Sequence, residues 1–248
     1  MGQRATALLS LAGLVLVWWL GALLLQDASL LPPPFTVAAL IWREALSGDL
    51  VYHLTATLAR VVAAFILAMC IGLAIGLFMG RNRTADRWLD PWLIVFLNLP
   101  ALVAIVLCYL WIGLTEAAAI TAVAINKIPM VAAMIREGAR ALDPELEAMA
   151  KIYRMGRWAR FRHVHLPQLA PHTASAARAG VALIWKIVLV VEFLGRSNGV
   201  GFQIHLYFQM FDVAMVLAYA LSFILVMLAI ENWVLQPWER GASRWRTA

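Results

Sequence analysis

The chain reads as an all-α integral membrane protein with six transmembrane helices and both termini in the cytoplasm. Composition points there first: of 248 residues, 63% are hydrophobic and only 14% charged, with a mean hydropathy of +0.81. A soluble domain is about half apolar. Length points there next, because several stretches run about 18 residues or more without charge, enough to cross the hydrocarbon core of a bilayer. The third observation is that basic residues crowd into alternate connections. The net charge of +6 is therefore read as a cytoplasmic excess of Lys and Arg, not as a nucleic-acid surface.

The spans are expected at about Thr6–Leu25, Thr55–Met79, Pro91–Trp111, Glu116–Ile135, Thr173–Leu194 and Val213–Val234. The first resembles a signal peptide in having Arg4 before an apolar run. Its length and the lack of a clear small-x-small cleavage site favour a retained helix. Leu31-Pro32-Pro33-Pro34 breaks the chain after it, and a short helix, Thr36–Leu46, follows until Ser47-Gly48-Asp49. Cys70 and Cys108 both lie in apolar segments and are read as free thiols.

Fourteen basic residues fall on one side of this arrangement: Arg4, Arg81, Arg83, Arg87, seven from Arg136 to Arg162, and Arg240, Arg244 and Arg246. Only Arg43 and Arg196 stand clear of the helices on the other side. The bias assigns both termini and the connection 136–172 to the cytoplasm. The whole chain, 1–248, is expected to be one transmembrane domain with that connection inside it.

Within the spans, Ala64, Ala68, Gly72, Gly76 and Gly80 recur every four residues. Such a stripe lets another backbone approach, either within the chain or from a second copy. Pro100 and Pro129 are preceded by Asn98 and by Asn126-Lys127, a pattern of kinked helices with polar residues near the kink. Lys127, Lys186 and Glu192 are ionisable groups at membrane depth, which default to a solute pathway unless paired. Lys127 could instead pair with Glu116, and Glu192 could brace the neighbouring turn Leu194–Gly201. Lys186 is the deepest, and its charge would favour an anionic solute. The pathway candidates are Asn98, Pro100, Asn126, Lys127, Lys186 and Glu192.

The connection 136–172 is built like a folded knob. Asp143 caps a helix, Pro144 takes its first position, and Glu145 and Glu147 suit the positive end of the dipole. Leu146, Met149, Ala150 and Tyr153 follow at helical spacing. A bend is expected at Gly156. Trp158, Phe161 and Val164 form a second short piece that Leu166-Pro167 should end. Such a knob suits a groove on a partner protein or, as an amphipathic surface helix, anionic lipid.

This connection resembles the cytoplasmic "EAA" loop of permease subunits of bacterial ATP-binding-cassette importers that depend on a solute-binding protein. Ala150, Tyr153, Arg157-Trp158, Phe161 and Leu166-Pro167 carry the resemblance. Leu31-Pro32-Pro33-Pro34, Thr57–Val61, Gly72–Gly80, Leu89-Asp90-Pro91, Asn98-Leu99-Pro100, Trp111-Ile112-Gly113 and Glu192 with Asn198–Phe202 extend it toward the nitrate, sulfonate and taurine subgroup. Two positions depart from the pattern: Ala148 stands at the usual Glu, with Glu147 one residue early, and Arg154 stands at the usual Gly. The resemblance implies a type I importer permease fold in the bacterial inner membrane. It implies coupling to the ATPase through Glu147, Ala148, Met149, Ala150, Tyr153, Arg154, Gly156, Arg157, Trp158, Phe161 and Arg162. It further implies a second permease copy as a homodimer, two ATPase subunits that bind ATP and Mg, and a periplasmic or lipid-anchored solute-binding protein. No cofactor is expected in this chain itself, which has no Gly-rich Lys-Ser/Thr phosphate loop.

Two rival classes compete. An intramembrane enzyme needs a nucleophile and base at one depth, yet His53, His163, His165, His172 and His205 all read as loop or span-end residues. An ion-coupled secondary transporter favours internal repeats and mid-membrane acids. No repeat is visible, and Glu192 is the one clear acidic residue within a span.

Overall fold

The computed structural model describes residues 3–238, and no strand occurs among them. The helices are α1 (Gln3–Leu25), α2 (Pro34–Ser47), α3 (Asp49–Arg81), α4 (Arg83–Leu97), α5 (Ala101–Ile112), α6 (Glu116–Arg140), α7 (Pro144–Ile152), α8 (Arg157–Arg160), α9 (Leu166–Gly195), α10 (Val200–Gln209) and α11 (Val213–Ile230). Single π-helical turns occupy Phe161–His165 and Glu231–Leu235. Among the described residues, three helical runs are long and apolar enough to cross a membrane: Asp49–Arg81, Glu116–Arg140 and Val213–Trp238. The bent pair α4–α5 makes a fourth if it is one span. Arg240, Arg244 and Arg246 lie outside the described residues.

Two expectations need correction. The span Pro91–Trp111 is not one kinked helix but two helices at 95°. Pro100 has no amide to donate and disfavours helical backbone at Leu99, so α4 stops at Leu97 and α5 starts afresh. The break is capped from both sides. The Asn98 side chain donates to the Ile94 carbonyl (2.8 Å), and the Asn126 side chain donates to the freed Leu99 carbonyl (3.2 Å). Pro129, by contrast, sits inside an uninterrupted α6.

The second correction concerns Leu166-Pro167, which does not end the knob. Helical backbone runs on from Arg157 through the π turn into α9. The Leu166 amide reaches back five residues to the Phe161 carbonyl. That wider turn relieves the clash a proline ring makes with the preceding turn, so Pro167 is accommodated near the start of α9.

The described residues form two compact units, 3–57 with 192–227, and 58–191 with 228–238. In the first, Pro34 opens α2 two residues before the expected start, because proline is tolerated at the first helical position. The Trp18 indole donates to the Pro32 carbonyl (3.1 Å) and so anchors the proline run.

In the second unit the small-residue stripe of α3 packs within the chain, against α6. Ala64 and Ala68 are fully buried. A methyl group added at Gly72 would stand 2.6 Å from Val131 Cβ, and one at Gly76 would stand 2.5 Å from the Ala132 carbonyl oxygen. Ion pairs then fasten the neighbours of α6. Arg136 pairs with Asp90 and Asp86, and Arg140 pairs with Asp86, which ties α4 to the end of α6. Arg60, 5% exposed, grips Glu116 at the start of α6 (2.6 and 2.8 Å).

Gly76→Ala should therefore cost about 1–3 kcal/mol, because the obstacle is backbone and cannot turn aside. Gly13→Ala, where an added methyl meets nothing within 4 Å, should be neutral or slightly stabilising. Thermal unfolding of the detergent-purified chain distinguishes the two.

Candidate functional site

The knob begins as its sequence dictates. Asp143 Oδ1 accepts the Glu145 amide (2.8 Å), Pro144 is the first helical residue, and Glu145 and Glu147 lie in the first turn of α7. The Asp143 amide is itself held by the Gln168 side-chain carbonyl (2.9 Å), which ties the start of α7 to α9.

The end of α7 is a Schellman turn. The Met155 amide donates to the Ala150 carbonyl and the Arg154 amide to the Lys151 carbonyl, each at 3.0 Å. Arg154 carries the left-handed backbone of this turn, with φ of +52°. The expected bend at Gly156 is corrected: Gly156 has φ of −62° and ψ of 158°, which any residue adopts. The turn thus sits at the position where the "EAA" pattern usually has glycine. An arginine there holds a conformation that costs a side-chain-bearing residue about 1 kcal/mol or more.

Glu147 locks the two halves of the knob together. Its Oε1 accepts from Arg160 (2.8 Å) and its Oε2 lies 2.7 Å from His165 Nε2. Arg81, the last residue of α3, donates to His165 Nδ1 (3.1 Å). With Nδ1 accepting, Nε2 carries the proton and donates to Glu147, so a neutral imidazole serves both partners. The His165 hydrogen bond holds the Glu147 carboxyl below the usual carboxylate range. Partial burial opposes it, and the Arg160 bond and charge reinforce it.

The outward face of the knob is apolar and aromatic. Ala150 is buried, but Ile152, Tyr153 and Trp158 are 79%, 75% and 70% exposed. Met149 is also exposed, and Trp158 stacks on Phe161 with ring centroids 5.8 Å apart. Ala148, Arg154, Arg157 and Arg162 are exposed around this face. The predicted knob residues therefore come together in one compact element.

The membrane residues divide. Asn98, Pro100 and Asn126 meet at the α4–α5 break, beside Lys127. Lys127 does not pair with Glu116, which Arg60 occupies, and it has no ion-pair or hydrogen-bond partner among the described residues. Lys186 is exposed, with its ammonium 5.5 Å from the Trp185 ring centroid. Glu192 is fully buried and braces the turn 195–201. It accepts from the Thr57 hydroxyl (2.9 Å) and the Gly201 amide (2.8 Å). Gly199, at φ of +108°, lies so close to this carboxylate that a methyl group there would collide with it.

Several residues that hold these elements in place escaped the sequence. His53 lies inside α3 and is buried. Its Nδ1 accepts the Gly199 amide (3.0 Å), so its Nε2 proton faces the Gln203 amide group 2.5 Å away, and the carbonyl end of Gln203 must be the one presented. Arg81, Arg160 and His165 carried no spacing signal, because their partners are distant in the chain. Among the described residues no group of three or more His, Cys, Asp and Glu could hold a metal ion.

Comparison with known proteins places the chain in a family. Residues 68–234 match the family described as binding-protein-dependent transport system inner membrane component. The chain is 31% identical to the aliphatic sulfonates transport permease protein SsuC of Escherichia coli (strain K12) over 77% of its own length and 73% of the relative's. It is 31% identical to the riboflavin transport system permease protein RibX of Chloroflexus aurantiacus (strain ATCC 29366 / DSM 635 / J-10-fl), over 88% of its length and 82% of that protein's. A structure of the inward-facing MetNI methionine ABC transporter superposes with a TM-score of 0.68 at 18% identity, covering 80% of this chain and 98% of that one.

Because the folded-state pKa of Glu147 is depressed, its contribution is fully present above the ordinary value of 4.5 and is lost as pH falls through the folded value. Hydrogen-exchange protection of α7, corrected for intrinsic rates, should be flat above about pH 5 and fall below it. Glu147→Gln should lower that protection by about 1 kcal/mol at neutral pH, after allowance for solvent screening, and abolish the acid step.

Proposed function

The chain belongs to the family of binding-protein-dependent transport system inner membrane components, and from that premise we propose how it works as the permease subunit of an ATP-binding-cassette importer. It is an integral inner-membrane protein and not a catalytic one. The family implies an ATPase subunit and a substrate-binding protein as partners. In our reading α1, α3, the α4–α5 pair, α6, α9 and α11 are six spans, with both termini and the knob in the cytoplasm. Two copies of the chain form the pathway, two ATPase subunits carry ATP and Mg, and the binding protein delivers solute from outside.

The knob is the coupling element in this proposal. The observation that carries it is the exposed face of Ile152, Tyr153 and Trp158, held on a backbone that the Schellman turn and the Glu147 contacts fix. An aromatic patch with a basic rim, presented rigidly, suits a protein groove: ordering cost is low and the anchors are large. Closing of the ATPase pair would push this face and tilt the helices attached to it, alternating access to the pathway.

Asn98, Pro100, Asn126, Lys127 and Lys186 line that pathway in our reading, and Glu192 fixes the turn beside it in sequence, 195–201. The solute class is a small organic or inorganic anion, of the nitrate, sulfonate or taurine kind. Support comes from the ammonium of Lys127, which has no partner among the described residues, the exposed ammonium of Lys186 and the sulfonate-permease relative.

Tyr153→Ala with Trp158→Ala should cut co-purification of the ATPase at least tenfold while the permease still inserts and folds; an undiminished yield overturns the docking role. Lys127→Gln and Lys186→Gln should each lower uptake of a labelled alkanesulfonate by roughly tenfold in vesicles holding permease, ATPase and binding protein. Equal uptake by wild type and variants removes the lysines from the pathway.

A further inference from the structure

Behind the outward face of the knob, Arg81, Arg157, Arg160, Phe161 and His165 line a cleft of about 250 Å³. Three guanidinium groups line it, one from the end of α3 and two from α8. No carboxylate lines the cleft. Glu147, the closest acid in the network, already accepts from Arg160 with one oxygen and from His165 with the other. His165 Nδ1 is taken by Arg81. That leaves donors to spare: Arg157 has no hydrogen-bond or ion-pair partner among the described residues, and Arg160 Nε is buried with none. Like charges held this close repel unless a counter-charge lies between them, and a buried N–H without an acceptor costs about 1–3 kcal/mol.

We propose that this cleft is a binding site for a tetrahedral oxyanion, either a free sulfate- or phosphate-like ion or the phosphate of an acidic lipid headgroup. The flat fork of guanidinium suits the edges of such an anion, and Arg160 would give its idle Nε donor while keeping Glu147 on its other edge. The volume is ample for one tetrahedral oxyanion, free or carried on a headgroup. The site shares Arg81 and Arg160 with the clamp that fixes the knob, so occupancy would tighten the knob against α3. It does not depend on the coupling role and can be measured on the permease alone.

The test uses the full chain in nanodiscs, with melting followed by tryptophan fluorescence. In zwitterionic lipid, sodium sulfate is compared with sodium chloride at matched ionic strength; a second preparation contains phosphatidylglycerol without sulfate. Each variant is compared with its own anion-free baseline, so an intrinsically weaker variant stays readable. Filling the site to several times its Kd should raise Tm by about 2–4 °C in the wild type. Arg157→Gln and Arg81→Gln should each lose most of that shift. A shift with sulfate identifies a free ion as the source, and a shift with phosphatidylglycerol alone identifies the headgroup. No shift in either preparation, or one of equal size in wild type and both variants, overturns the proposal.

Discussion

Everything in the larger unit depends on the closeness of α3 and α6. Glycine at positions 72, 76 and 80 lets the two backbones approach to distances that a single methyl group would forbid. Within a membrane this contact cannot rest on the hydrophobic effect, since lipid tails are as apolar as the helices. Dispersion at close range must supply the energy, and close range requires small residues. Once α6 is seated, its ends become fixed points. The Arg60–Glu116 pair sets one end, and Arg136 and Arg140 set the other against α4. The knob leaves from that second end.

The knob then solves a problem of precision. It displays large apolar side chains to the outside, which costs solubility, and must do so without collapsing onto them. A capped start, a Schellman stop and one carboxylate shared by an arginine and a histidine hold the backbone independently of those side chains. The displayed face is free because none of it is needed for the local fold.

Much of this was legible in the sequence, and the limits are instructive. Asp143-Pro144 announced a helix start because capping is local chemistry. The four-residue stripe announced a close helix contact because one helix face is a local property, although its partner was not. Proline acts differently at different sites. Pro100 broke a helix where an asparagine was ready to cap it, and Pro129 did not. Pro167 was absorbed by a π turn, which spacing alone does not reveal. Arg154 shows the clearest limit. The composition of the turn suggested that the glycine would bend, but the hydrogen-bond register of α7 fixes where the left-handed residue falls. That register puts the bend on the arginine. The sequence reached the turn that Glu192 braces, nine residues away, but not its Thr57 contact, and Arg81 and His165 were out of reach of spacing because they are far apart along the chain.

The continuity of α8 with α9 has a mechanical consequence. From Arg157 to Val191 helical backbone rising about 1.5 Å per residue spans about 50 Å, with no loop to take up slack. If Trp158 docks as proposed, a load on it acts on the end of a lever, and a tilt of a few degrees becomes a displacement of several ångströms at the far end. The π turn at Phe161–His165 interrupts the ordinary helical register within that run. His165, at the end of that turn, is held by Arg81 and Glu147, so the one interruption in the run is the point where two hydrogen bonds to one imidazole fasten it to α3 and α7.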